Sequence, residues 1–123
     1  MKNNMWLKLG GAALLGLMIL GFAVPNGQTA TAVTLTAVVQ NQQCQGGDFV
    51  NVTLSATLSR PAQGVQFQWD FNNDGIFDTA LSSDPTVMHL YPDEANVTAV
   101  VKVVKGNRSA TDSITFSTLR CGG

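Results

Sequence analysis

Beyond residue 32 the chain alternates between apolar and polar positions in short runs. Val33, Leu35, Ala37 and Val39 alternate with Thr34, Thr36 and Val38. Val50, Val52, Leu54, Ala56 and Leu58 alternate with Asn51, Thr53, Ser55 and Thr57. Val65, Phe67, Trp69 and Phe71 share one face of a third run, with Gln66, Gln68 and Asp70 on the other. A fourth run covers residues 86–91, a fifth carries Val97, Ala99, Val101 and Val103 inward, and a sixth carries Ile114 and Phe116 inward and ends near Thr118. Side chains of a strand point alternately to its two faces, so this period marks strands with one buried face. Between the runs lie turn formers: a polar connection at residues 41–48, Arg60, Pro61 and Gly64, Asp84 and Pro85, residues 92–95, and the pair Gly106 and Asn107, a strong hairpin signal. No stretch after Ala32 has helical period. The pattern predicts an all-β fold, a single antiparallel β-sandwich of about seven strands.

The first 32 residues differ in kind. Lys2 and Lys8 precede an apolar run over residues 9–24, which Pro25, Asn26 and Gly27 break. Ala30 and Ala32 are small residues at the spacing a signal peptidase reads. Residues 1–32 are expected to be a signal peptide and residues 33–123 the domain; retention of the segment as an uncleaved anchor is the other reading. With cleavage no membrane-inserted segment remains, and the chain is secreted, periplasmic or held at a cell surface, in a bacterium by the look of the segment. The domain then has 123 − 32 = 91 residues. Its basic residues are Arg60, Lys102, Lys105, Arg108 and Arg120, against Asp48, Asp70, Asp74, Asp78, Asp84, Asp93, Glu94 and Asp112, so 5 − 8 = −3. That balance carries no electrostatic footprint for nucleic acid.

Export changes the reading of the two cysteines. Cys44 and Cys121 are the only pair, and outside the cytoplasm a disulfide persists. The alternative is two free thiols. In the chain-entropy account, a bridge across so long a loop stabilises by roughly 4.5 kcal/mol.

Chemistry concentrates after Trp69. Asp70, Asn72, Asp74 and Asp78 stand at relative positions 1, 3, 5 and 9, with Gly75 at 6. That spacing follows the start of a 12-residue calcium loop, in which hard oxygen ligands curl round one Ca²⁺ and glycine permits the sharp turn. Position 12 is Leu81 rather than glutamate, and a strand leads in, so the loop is not an EF-hand. Two readings stay open: a partial Ca²⁺ site, or a turn in which these side chains accept neighbouring backbone N–H groups. No cofactor is otherwise required.

Trp69, Asp70 and Phe71, then the Asp/Asn/Gly turn, then His89, Leu90 and Tyr91, then a valine-rich alternating strand, resemble a PKD domain, the polycystic-kidney-disease type of β-sandwich. The resemblance spans roughly residues 33–119. Ala95 and Val97 stand where that family usually has Gly and Tyr, and the turn is lengthened as in many bacterial members. The resemblance implies a non-catalytic extracellular module that contacts proteins or polysaccharides, or a spacer beside a secreted hydrolase. In immunoglobulin-like sandwiches the first strand often runs parallel to the last, which would bring Cys44 and Cys121, each just past a strand end, together.

The remaining candidates read as structural. His89, the sole histidine, lacks partners for zinc and a neighbouring nucleophile, and fits a half-buried residue bonded to backbone. Tyr91 fits a packing residue whose hydroxyl caps a loop, like a tyrosine corner. Asp93 and Glu94 fit a solvated turn. Asn51, Asn96 and Asn107 begin N-x-S/T triplets, chance matches in a bacterium. Val38, Val100 and Val104 point outward and would bind a partner if they clustered. The expected function is a secreted, non-enzymatic binding or adhesion module. The alternatives are a self-assembling surface subunit and an accessory calcium-binding spacer acting with a separate enzyme.

Overall fold

The computed structural model describes residues 33–122. The expected signal peptide, residues 1–32, lies outside them. Six strands follow in order: β1 Leu35–Cys44, β2 Phe49–Leu58, β3 Gln66–Asp70, β4 Thr86–Pro92, β5 Asn96–Lys105 and β6 Arg108–Ser117. They form two antiparallel three-stranded sheets, ordered β1-β2-β4 and β3-β5-β6, with no helix among the described residues.

The inward residues of both sheets merge into one core. Leu35, Val50, Val52 and Leu54 come from the first sheet, and Phe67, Trp69, Val101 and Val103 from the second. These are the positions that the period of two assigned to buried faces. Six strands form where about seven were expected; beside them, residues 78–82 pair with β3 through a single bridge between Phe67 and Ser82. Gly106 takes a positive φ of 60° at the turn that joins β5 to β6, which pair from Lys105↔Arg108 inward.

β1 departs from expectation. It runs on to Cys44 through the stretch expected to be a polar connection. A bulge between Val39 and Asn41 explains this: an extra residue shifts the register, so Gln42 pairs with Val52 and Cys44 with Val50. The apolar alternation ends there, yet the ladder continues.

β1 and β6 lie side by side and run the same way, but belong to different sheets. Side chains, not a ladder, join them. Asp112 accepts the N–H of Ala37 at 2.8 Å, Gln42 donates to the carbonyl of Ser117 at 3.1 Å, and Gln42 accepts from Leu119 at 2.9 Å. At the end of this seam the Cys44–Cys121 disulfide joins Cα atoms 5.7 Å apart.

Candidate functional site

The loop after β3 folds back over its own strand. Strand period places Asp70 on the outer face with Gln66 and Gln68. Yet Asp70 is only 2% exposed, because residues 72–78 close over it. Its Oδ1 accepts the N–H groups of Asn72 and Asp74, each at 3.3 Å, and its Oδ2 accepts that of Gly75 at 2.9 Å. With its amide nitrogen turned to the carboxylates, Asn72 adds a bond to Asp70 Oδ1 at 3.0 Å. Asn73 and Gly75 have φ of 56° and 89°. These positive values curl the backbone so that successive N–H groups face one carboxylate, as asparagine and glycine allow.

The other carboxylates of the loop are similarly engaged. Asp78 Oδ2 accepts the N–H of Phe71 at 2.8 Å, and Asp74 Oδ1 that of Ile76 at 2.9 Å. The four sequence-predicted ligands are thus drawn into one loop, in which Asp70, Asp74 and Asp78 accept backbone N–H groups and the Asn72 amide donates to Asp70. Among the described residues no three carboxylate, histidine or cysteine side chains converge as a metal-ligand group. In this form the loop works as a turn that organises its own backbone.

The same segment seals the edge of β3. The N–H of Phe67 bonds to Ser82 O at 2.6 Å, that of Trp69 to Thr79 Oγ1 at 2.9 Å, and that of Phe71 to Asp78. Every outward-facing amide from Phe67 to Phe71 therefore has a partner.

Behind the loop, aromatic rings bridge the two sheets. Phe71 and His89 stack with centroids 4.0 Å apart, His89 meets Tyr91 edge-on at 4.6 Å, and Tyr91 meets Phe116 edge-on at 5.7 Å. The Tyr91 hydroxyl donates to Phe71 O at 2.7 Å in a buried setting, a fixed link between β4 and the end of β3. Burial holds the His89 pKa below the ordinary histidine value, with nearby Asp78 pulling the other way. Burial also pushes the Tyr91 hydroxyl well above its ordinary value, with Asp78 and then Asp70 adding to the effect. His89 is therefore mainly neutral near pH 7. Its neighbours are rings, where sequence suggested a backbone partner.

Comparison with protein-family models, with curated proteins and with solved structures found no match.

The remaining predicted positions fall apart. Val38 lies on the outer face of the β1-β2-β4 sheet, whereas Val100 and Val104 lie on that of the β3-β5-β6 sheet, so the three form no single patch. Asp93 accepts the N–H of Cys121, and Glu94 pairs with exposed Arg120 at 3.0 Å, both at the disulfide end.

Two surface features escaped the sequence reading. One is a row of hydroxyls on the outer face of β6: Ser109, Thr111, Ser113, Thr115 and Ser117, all exposed. Alternate strand residues are spaced about 6.7 Å apart, so the row is a regular array. Asn96, Thr98 and Lys102 of β5 stand opposite Ser117, Thr115 and Thr111. Thr98 and Thr115 share a hydroxyl bond at 2.8 Å, and Ser117 donates to Asn96 at 2.7 Å. Beside it, Lys102 Nζ lies 5.7 Å from the ring centre of Phe77. The other feature is an apolar strip of Phe49, Met88 and Leu90, each about half exposed or more, on the outer face of the first sheet. The first was readable as serines and threonines at every second position of 109–117, had those residues been weighed as a surface and not as the silent half of a strand.

Proposed function

We propose that the chain is an exported, non-enzymatic binding module of PKD type, released by cleavage after residue 32, which holds extracellular polysaccharide or a glycan-bearing surface protein. The observation that carries this reading is the hydroxyl row of β6 with its β5 neighbours. It is regular and carries one charge, Lys102, with Val100 and Val104 standing opposite Ser113 and Ser109. Such a plane matches a ligand made of neutral hydroxyls better than a charged peptide or a nucleic acid. Lys102 and Phe77 at its margin add a cation and a ring face, the kinds of group that grip sugar oxygens and sugar C–H surfaces. The sealed edge of β3, the ring stack and the disulfide seam hold the plane rigid, so little ordering entropy is lost on binding.

Calcium belongs to this proposal as a loop effect: Asp70, Asn72, Asp74 and Asp78 would open to hold one ion beside the Phe77 margin, with oxygen ligands of the type Ca²⁺ prefers.

Native gels cast with hydroxyethylcellulose, dextran or galactomannan test the main reading. Retardation of the protein in at least one gel, lost in Ser113→Glu, supports it. Unchanged mobility in every polysaccharide, with capture by a glycan-free envelope protein, would replace it with a protein-binding reading.

A further inference from the structure

Each sheet has edges, and an uncovered strand edge is a template for another strand. Three of the four edges here are handled. β3 is sealed by residues 78–82 through Phe67, Trp69 and Phe71. The neighbouring edges of β1 and β6 are tied together by Asp112, Gln42 and the disulfide. The fourth edge belongs to β4.

Its hydrogen-bond phase can be read from its ends. Asp93 donates to Asp48 O, and Ala56 donates to Pro85 O, each at 2.9 Å. Both fall in the register that pairs Val87 with Leu54, His89 with Val52 and Tyr91 with Val50. In an antiparallel pair, bonded and non-bonded pairs alternate. The odd-numbered residues of β4 therefore bond to β2, and the N–H and C=O groups of Thr86, Met88 and Leu90 face away from it. Thr86 confirms the phase, since its N–H is taken by Asp84 Oδ1 at 3.0 Å. At the other end Pro92 has no N–H to offer. What remains open is the C=O of Thr86 and the backbone of Met88 and Leu90, which no hydrogen bond among the described residues reaches. The side chains of Met88 and Leu90 are also exposed, at 60% and 48%.

We propose that this edge pairs with the same edge of a second copy of the chain, antiparallel, about a two-fold axis at His89. The inference is independent of what the hydroxyl row binds. In that register Met88 faces Leu90 of the second copy, and Leu90 faces its Met88. Four backbone bonds form, and the N–H and C=O groups of Met88 and Leu90 all find partners. Thr86, whose N–H is already taken by Asp84, falls opposite a proline that has no N–H to give and whose carbonyl accepts from Thr118 Oγ1 at 2.8 Å, so the ladder stops at both ends together. The strand is compatible with itself, because residues 85–92 contain no Lys, Arg, Asp or Glu to repel its copy. Edges of monomeric proteins usually carry such charges. The apolar side chains then meet across the axis on the outer face, with Phe49 of each copy beside them. The contact uses one patch twice and closes on itself, giving a dimer and not a fibre. It also leaves the hydroxyl rows, which lie on the other sheet, free in both copies.

The test is sedimentation equilibrium of the purified protein over a wide concentration range, with Met88→Lys beside it. Met88 is exposed, so the lysine leaves the fold intact, which circular dichroism verifies. A mass that rises toward twice the monomer, and stays at the monomer in Met88→Lys, is expected. A monomer at all concentrations, or a dimer that survives Met88→Lys, overturns the proposal. Register is tested by mixing Met88→Cys with Leu90→Cys. Residues of a bonded pair sit about 5.5 Å apart at Cα, within disulfide reach. The mixture should cross-link faster than either variant alone, and equal rates would refute the axis at His89. Slow amide exchange at Met88 and Leu90 in a monomeric sample would also overturn it, and would point to residues 1–32 of the same chain as the cover.

Discussion

Asp112 of β6 accepts the backbone N–H of Ala37 of β1 at 2.8 Å, and so closes a seam between strands that share no ladder. Ala37 is buried, and an amide left there without an acceptor is costly. Asp112→Ala should therefore destabilise the protein by about 1–3 kcal/mol. Asp112→Asn keeps an acceptor oxygen and should lose less. Urea denaturation of the three proteins measures this, and equal losses for Ala and Asn would show that the acceptor is not what matters.

The same seam ends at the disulfide. Replacing Cys44 and Cys121 by serine should cost up to about 4.5 kcal/mol by the loop-entropy account. The loss should come with faster amide exchange at Leu119 and Cys121, whose N–H groups bond to Gln42 and Asp93. Urea midpoints together with exchange rates check both halves.

The ring stack sets the pH response. Burial lowers the pKa of His89 in the folded protein. The unfolded chain then binds more protons than the native one near and below its ordinary value of about 6.5, so stability present above that pH falls as pH drops through it. His89→Gln should flatten the slope between pH 7.5 and 5.5. Tyr91 acts at the other end. Its raised pKa keeps it protonated when the unfolded tyrosine ionises, so stability falls as pH rises past about 10. Tyr91→Phe should remove that alkaline slope and cost about 1–2 kcal/mol at neutral pH through the lost bond to Phe71. Denaturation profiles against pH read all of this.

Asp70 is the organiser of its loop. Asp70→Ala frees the N–H groups of Asn72, Asp74 and Gly75 at once and should cost about 3 kcal/mol, each bond to a charged acceptor being worth about 1.5–3 kcal/mol before the loop relaxes. Thermal unfolding in Ca²⁺ and then in chelator examines the metal reading. A ligand that binds only the folded state at 100 times its Kd adds about 2.7 kcal/mol. A rise in Tm that disappears in Asp74→Ala supports an ion in the loop. An unchanged Tm leaves it a backbone-bonded turn.

Much of this architecture could be read from the chain. The period of two located all six strands, and Trp69 marked the core. The pairing of Cys44 with Cys121 was expected and is formed, and the Tyr91 hydroxyl was expected to cap a loop. What could not be read depends on distant contacts. The continuation of β1 to Cys44 rests on a bulge and on Gln42 finding β6, and neither leaves a trace in hydropathy. Asp70 looked exposed because strand alternation knows nothing of a loop that folds back on the strand. The edge of β4, which no other described residue covers, is likewise a matter of sheet order: its sequence differs little from that of a central strand, and only the placement of residues 78–82 against β3 shows which edge is left.

The proposed binding surface is the outer face of β5 and β6. Amide chemical shifts of the labelled protein, followed as a soluble galactomannan oligosaccharide is added, test it most directly. Shifts that saturate and are confined to Thr98, Lys102 and residues 109–117, with Phe77 at the margin, are the predicted result. Shifts confined to β2 and β4, or none with any neutral oligosaccharide, would contradict it.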